Sequence, residues 1–228
     1  MSLFRVDPEN PFHGPHQGKP VSKAGVDPAE ASAAMILVHG RGASAESMLL
    51  FADEFRQNSI HYRALQADRH TWYPNSFLAP KEQNQPGISS GLQAIYDEIQ
   101  SLNNAGIATS KIVLLGFSQG ACLSSEFAAR HPQRYGGLAI LSGGLIGPEV
   151  SRDNYSGSFE GTPVFMGCSD YDPHIPQERV DETAEILEAL DADVTKKIYP
   201  GMGHTVNEDE IKHINHLLDS LGKKQKSE

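Results

Sequence analysis

The sequence predicts an α/β fold, a mostly parallel sheet covered by helices on both faces. Three observations lead there. Short apolar runs rich in branched residues alternate with segments of helical period along most of the chain, and that alternation builds parallel sheets with crossover helices. One such run, residues 112–115, passes straight into Gly-x-Ser-x-Gly at Gly116, Ser118 and Gly120 and then into a helical pattern. Ser118, Asp172 and His204 each sit just past a predicted strand, at the end of the sheet where such folds form their sites.

The elements follow in order. Residues 1–18 are rich in Pro, Gly, Asn and His and read as an irregular extension. His13 and His16 lie three apart, but no Cys or carboxylate cluster with ligand spacing accompanies them, so they read as surface histidines and no metal is expected. Residues 19–24 suit an edge strand. Residues 34–38 form a buried strand ending in His39-Gly40-Arg41-Gly42-Ala43-Ser44. His39 reads as a residue that packs this loop. A helix starts at Ser44 or Ala45, with Met48, Leu49, Phe51, Ala52 and Phe55 on its apolar side. Residues 60–66 are the next strand.

Residues 67–87 have no period and hold His70-Thr71-Trp72-Tyr73-Pro74. A connection this long is functional or disordered, and its aromatic content argues for order. Trp72 is expected to form the main wall of a substrate pocket, with Tyr73 beside it; for Tyr73 and Phe77 the alternative is that their rings anchor the loop to the core. Residues 89–104 form an amphipathic helix through Leu92, Ile95, Tyr96, Ile99 and Leu102. After the serine turn and its helix, residues 137–142 are a strand. Residues 143–162 are polar and Gly-rich, with little to bury and too few residues for a cap domain. A strand at 163–168, a helix from Pro176 to about Ala189, a strand at 194–199 and a helix from about Asn207 to Leu221 complete the pattern. Residues 222–228 form a basic, frayed tail. One domain over residues 1–228 is expected.

Composition narrows the class. The net charge of −10 argues against nucleic acid as a partner. No apolar run approaches the roughly 20 residues of a membrane span, and no basic-then-apolar segment opens the chain, so a cytoplasmic setting is expected. Cys122 and Cys168 read as buried thiols rather than a disulfide framework.

The serine turn carries the chemistry. A strand-turn-helix bend this tight excludes side chains on its flanks, so glycine is required at 116 and 120. Ser118 is thereby presented alone above the sheet. The Gln119 amide lies at a helix N-terminus, where a free donor and the dipole favour an anion. A His-Gly-x-Gly loop after an early strand offers a second backbone donor at Arg41. A serine hydroxyl needs a histidine to take its proton and a carboxylate to orient that histidine. His204 meets the first need. Asp170 and Asp172 both follow the strand ending near Cys168. Asp172 precedes a proline, which restricts its backbone and suits an orienting residue, whereas Asp170 is better placed to bond the amides of its own turn.

His39-Gly40-Arg41-Gly42, Gly116-Phe117-Ser118-Gln119-Gly120, Asp172-Pro173-His174-Ile175-Pro176 and Gly201-Met202-Gly203-His204 together resemble the phospholipase/carboxylesterase family of α/β hydrolases, which includes the acyl-protein thioesterases. The resemblance implies the α/β-hydrolase fold and a Ser118–His204–Asp172 triad, with oxyanion donors at Arg41 and Gln119. It implies hydrolysis of a carboxylic ester or thioester without a cofactor, and because no segment is long enough for a cap domain, an open site taking small to medium acyl groups is expected. The partner expected is a small-molecule ester, with a homodimer left open. An acyl transferase on the same triad and a non-catalytic domain of this fold are the alternatives.

Overall fold

In the computed structural model, which describes residues 6–222, seven strands form one sheet. The strands are β1 (Val21–Gly25), β2 (Ala33–Val38), β3 (Ile60–Leu65), β4 (Ile112–Phe117), β5 (Gly137–Leu141), β6 (Pro163–Ser169) and β7 (Asp193–Tyr199). The helices are α1 (Ala45–Leu49), α2 (Gly87–Asn104), α3 (Gln119–Arg130), α4 (Gln177–Ala189) and α5 (Glu208–Gly222). Strand order is β1-β3-β2-β4-β5-β6-β7, with β1 antiparallel at one edge and every other pairing parallel.

The two-residue period of a strand divides the core. Ile36, Leu114, Ile140 and Met166 face a layer with Leu92, Ile95, Phe127 and Leu187 from α2, α3 and α4. Met35, Val113, Leu115 and Ala139 face the other side, with Met48 of α1 and Ile214 and Leu218 of α5. The central strands are buried on both faces, which is why β2 and β4 read as continuous apolar runs. β4 therefore ends at the middle of the sheet, and the turn at Ser118 emerges between neighbouring loops rather than at an edge.

Three expectations are corrected. The helical pattern after Ser44 is α1 followed by a 3-10 turn at Leu50–Glu54, which leaves Leu50 exposed. The 143–162 connection is not short of things to bury: Leu145, Ile146, Tyr155 and Phe159 all lie in the core. Its anchor is the fully buried Glu126 of α3. That carboxylate accepts from Ile146 N at 3.0 Å and Tyr155 Oη at 3.1 Å, and pairs with Arg130 at 2.6 Å and Lys81 at 3.3 Å. His16 is buried rather than on the surface, because its ring joins two backbone groups: Nδ1 accepts from Asp68 N and Nε2 donates to Trp72 O. His13 is exposed. Among the described residues no group of His, Cys, Asp and Glu could hold a metal ion, and no helix is long and apolar enough to cross a membrane. The tail at 223–228 and residues 1–5 of the extension lie outside the described residues.

Candidate active site

Ser118 has φ 55° and ψ −120°, a conformation that costs a non-glycine residue on the order of 1–3 kcal/mol. The turn holds it there. Ser118 N donates to Leu141 O at 2.9 Å, and Ser118 O accepts the first bond of α3 from Cys122 N. A Cβ at Gly116 would collide with the Gly120 backbone, and one at Gly120 with Val38 O.

The structure brings Ser118, His204 and Asp172 together. His204 Nε2 lies 2.8 Å from Ser118 Oγ, and His204 Nδ1 lies 2.7 Å from Asp172 Oδ2. An ionised carboxylate can only accept, so Nδ1 carries the proton and the Nε2 lone pair faces the serine hydroxyl. The Asp172 carboxylate is fully buried. Burial alone would raise its pKa, but hydrogen bonds from His204 and from the His174 and Ile175 amides outweigh that and hold it below the usual carboxylate range. The His204 side chain keeps 19% of its surface exposed, enough to meet a substrate. Phe117 packs against its ring at 5.0 Å.

Asp170 does not reach the histidine. Its Oδ1 accepts from Gly201 N at 2.8 Å, in the turn after β7. Its own turn's amide, Tyr171 N, bonds Ser169 Oγ instead, and the same Oγ accepts from Gly203 N at 3.0 Å. Asp170 and Ser169 thus tie the loop carrying Asp172 to the loop carrying His204.

That second loop ends in a helix cap. Asn207 Oδ1 accepts from the Asp209 and Glu210 amides, and Glu210 Oε2 accepts from Asn207 N at 2.8 Å, a reciprocal capping box at the start of α5. The other Glu210 oxygen is buried against Gly167 without a partner among the described residues, and burial pushes this carboxyl up to about 7. The folded state therefore binds the proton more tightly than the unfolded chain, where the pKa is 4.5. The stability this group contributes is complete below 4.5 and is lost as pH rises to about 7. Denaturant titrations at pH 5 and 8 should show wild type losing up to about 3 kcal/mol more than Glu210→Gln over that interval. Equal losses would mean that Glu210 is ionised throughout.

Arg41 and Gln119 flank the serine. Gln119 opens α3, so its amide has no acceptor within the helix. A Cβ at Gly40 would lie 3.3 Å from Ser118 Cβ, so the loop leading to Arg41 runs against the serine itself. His39 packs this loop as expected. Its Nε2 accepts from Ala67 N at 3.1 Å, so its proton is on Nδ1, which donates to Gly40 O at 2.7 Å. Pinning that carbonyl fixes the plane of the Gly40–Arg41 peptide and so the direction of the Arg41 N–H. Burial holds both His39 and His16 below the ordinary histidine pKa, in the neutral form these bonds require.

The sequence suggested only backbone roles for Arg41 and Gln119, yet both side chains hold the 72–75 segment. The Arg41 guanidinium donates to Tyr73 O, Pro74 O and Asn75 O at 2.7–2.9 Å. Gln119 accepts from Trp72 N and donates to Tyr73 O, each at 2.8 Å. No sequence period marks side chains that bond loop carbonyls.

Trp72 is not a pocket wall. It is fully buried between the rings of His16 and His39, at 5.0 and 5.1 Å, and its indole N–H donates to His39 O at 2.9 Å. It anchors the loop, and the next residues do the lining. A cavity of about 450 Å³ opens beside Ser118 and His204. Tyr73, Phe77, Cys122 and Ile175 give it apolar surface, and Arg41, Asn75, Ser76 and His174 give it polar surface. Cys122 and Cys168 are buried free thiols, both pushed up to about 12 by burial.

Residues 24–221 match the family described as Phospholipase/Carboxylesterase. The structure is similar to the phospholipase/carboxylesterase from Dyadobacter fermentans, with a TM-score of 0.85 and 38% identity over 88% of this chain and 96% of that one. Acyl-protein thioesterase 1 of Gibberella zeae is 32% identical over 60% of this chain and 60% of its own length. The chain thus spans about three fifths of that relative. For acyl-protein thioesterase 1 of Debaryomyces hansenii the match is 27% over 85% of this chain and 93% of that protein. Esterase PE8, at 19% identity and a TM-score of 0.73, shares the fold.

Proposed function

The chain belongs to the phospholipase/carboxylesterase family of α/β hydrolases, and from that membership we propose that it is a serine hydrolase acting on carboxylic esters or thioesters of small to medium acyl size. The observation that carries the reading is the pair of contacts at His204, 2.8 Å to Ser118 Oγ and 2.7 Å to Asp172 Oδ2. His204 takes the Ser118 proton as Oγ attacks the acyl carbonyl. The carbonyl oxygen becomes an oxyanion facing the amides of Arg41 and Gln119. The imidazolium, stabilised by Asp172, then protonates the leaving alkoxide or thiolate as the bond to it breaks. A water deprotonated by His204 attacks the acyl-serine, and collapse returns the carboxylate product and free Ser118.

The cavity of about 450 Å³ supports the size limit, and among the described residues no cap domain lies over it. A panel of aryl esters, thioesters and lactones of graded acyl length tests the proposal. Turnover of short and medium acyl esters, falling for long chains, is expected. No turnover across the panel would overturn it, and acyl transfer to added alcohol in preference to water would make the protein a transferase.

A further inference from the structure

We infer that the cavity beside Ser118 selects esters bearing a carboxylate, recognised by the guanidinium of Arg41 and the ring of His174; this rests on the esterase reading of the same site. The first observation is an imbalance of charge. The chain carries 29 acidic against 19 basic residues, yet none of the twelve described residues that line the cavity is Asp or Glu. Arg41 lines it and pairs with no carboxylate among the described residues. The nearby acids are engaged elsewhere, Asp172 by His204 and Glu126 by Arg130 and Lys81. Three of the Arg41 N–H groups reach the carbonyls of 73–75. A guanidinium has five, and neutral carbonyls leave its charge uncompensated. Holding the loop therefore accounts for part of its donors and none of its charge.

The second observation is independent. His174 follows the triad acid by two positions, and its amide is fixed to Asp172 Oδ1 at 2.8 Å. Its ring stands edge-on to His204, 4.8 Å away at 78°, and lines the cavity. Among the described residues neither nitrogen of that ring has a hydrogen-bond partner. An imidazole so placed offers an N–H to a group of the substrate lying beside the reacting ester. A planar carboxylate suits both donors, since guanidinium and imidazole N–H groups form short charge-assisted bonds to it. Because Arg41 is exposed, the attraction is screened by salt.

The test compares substrates identical but for a carboxylate in place of a terminal methyl. Monoethyl adipate against ethyl hexanoate puts the charge on the acyl side. 4-Acetoxybutanoate against butyl acetate puts it on the leaving side. Binding is measured by calorimetric titration of Ser118→Ala protein, and kcat/KM with wild type. At least one charged ester is expected to bind tenfold or more tightly than its neutral twin, by a margin that shrinks at 0.5 M salt, and to show the same preference in kcat/KM. Within the Ser118→Ala background, Arg41→Gln should erase most of the preference and Arg41→Lys keep part of it; both break the guanidinium fork and differ in charge. His174→Leu should lower the preference and His174→Gln, which keeps a donor, should restore part. Equal binding of both twins in both pairs overturns the inference even if the esters are hydrolysed. Preferential binding with no wild-type turnover of any ester sinks the esterase reading and leaves the anion site standing.

Discussion

Ser118→Ala is expected to fold normally and to lose on the order of a millionfold in ester turnover, the cost of removing a nucleophile from a triad. The fold should tolerate the change. Ser118 is held by its backbone, through Leu141 O and Cys122 N, and among the described residues its hydroxyl bonds only His204. Alanine keeps the Cβ and pays the same cost at φ 55°. The residual rate reports what the remaining donors achieve without covalent chemistry. The checks are steady-state hydrolysis of an aryl ester and thermal unfolding of the variant. A tenth of wild-type activity in the folded variant would place the nucleophile elsewhere.

Asp172→Asn is expected to lower kcat by roughly a thousand- to ten-thousand-fold. Asparagine offers His204 Nδ1 either its amide oxygen or its NH2 group. Asp172 Oδ1 already accepts the His174 and Ile175 amides, so the oxygen of asparagine stays with those N–H groups and the NH2 group turns to His204. A donor there forces the imidazole proton onto Nε2, where it faces the serine hydroxyl and cannot accept its proton. Asp170→Asn is the control. It weakens one tie to Gly201 N and should lower stability with at most a small effect on kcat. Both are measured with one aryl ester and one unfolding curve each. The reverse ranking would transfer the orienting role to Asp170.

What the sequence revealed follows physical periodicity. β2 and β4 are buried on both faces and so appear as unbroken apolar runs, and α2 shows its buried stripe at helical spacing. The serine turn was legible because two glycines at fixed spacing are sterically required there. That Ser118, Asp172 and His204 meet follows from their places after β4, β6 and β7, which end on the same side of a parallel sheet. Contacts without a period were opaque. Nothing in the pattern separates Trp72, buried between two imidazoles, from Tyr73, which lines the cavity. The aromatic loop was recognisable as ordered, but the direction of each ring is set by neighbours at 16, 39 and 119 that are distant in the chain. The 143–162 connection was misread for a related reason. Its four buried side chains are spaced irregularly, and the carboxylate that accepts from the Ile146 amide and the Tyr155 hydroxyl, Glu126, lies on the helix after the serine turn.

A Ser118 hydroxyl made nucleophilic by His204 should react covalently with an active-site label. Wild-type protein treated with a fluorophosphonate probe should gain one adduct mass, and peptide mapping should place it on Ser118. Labelling should vanish in Ser118→Ala and fall sharply in a His204→Ala variant, which retains the hydroxyl but removes the base. Wild-type protein that stays unlabelled, or an adduct mapped to another residue, would contradict the account.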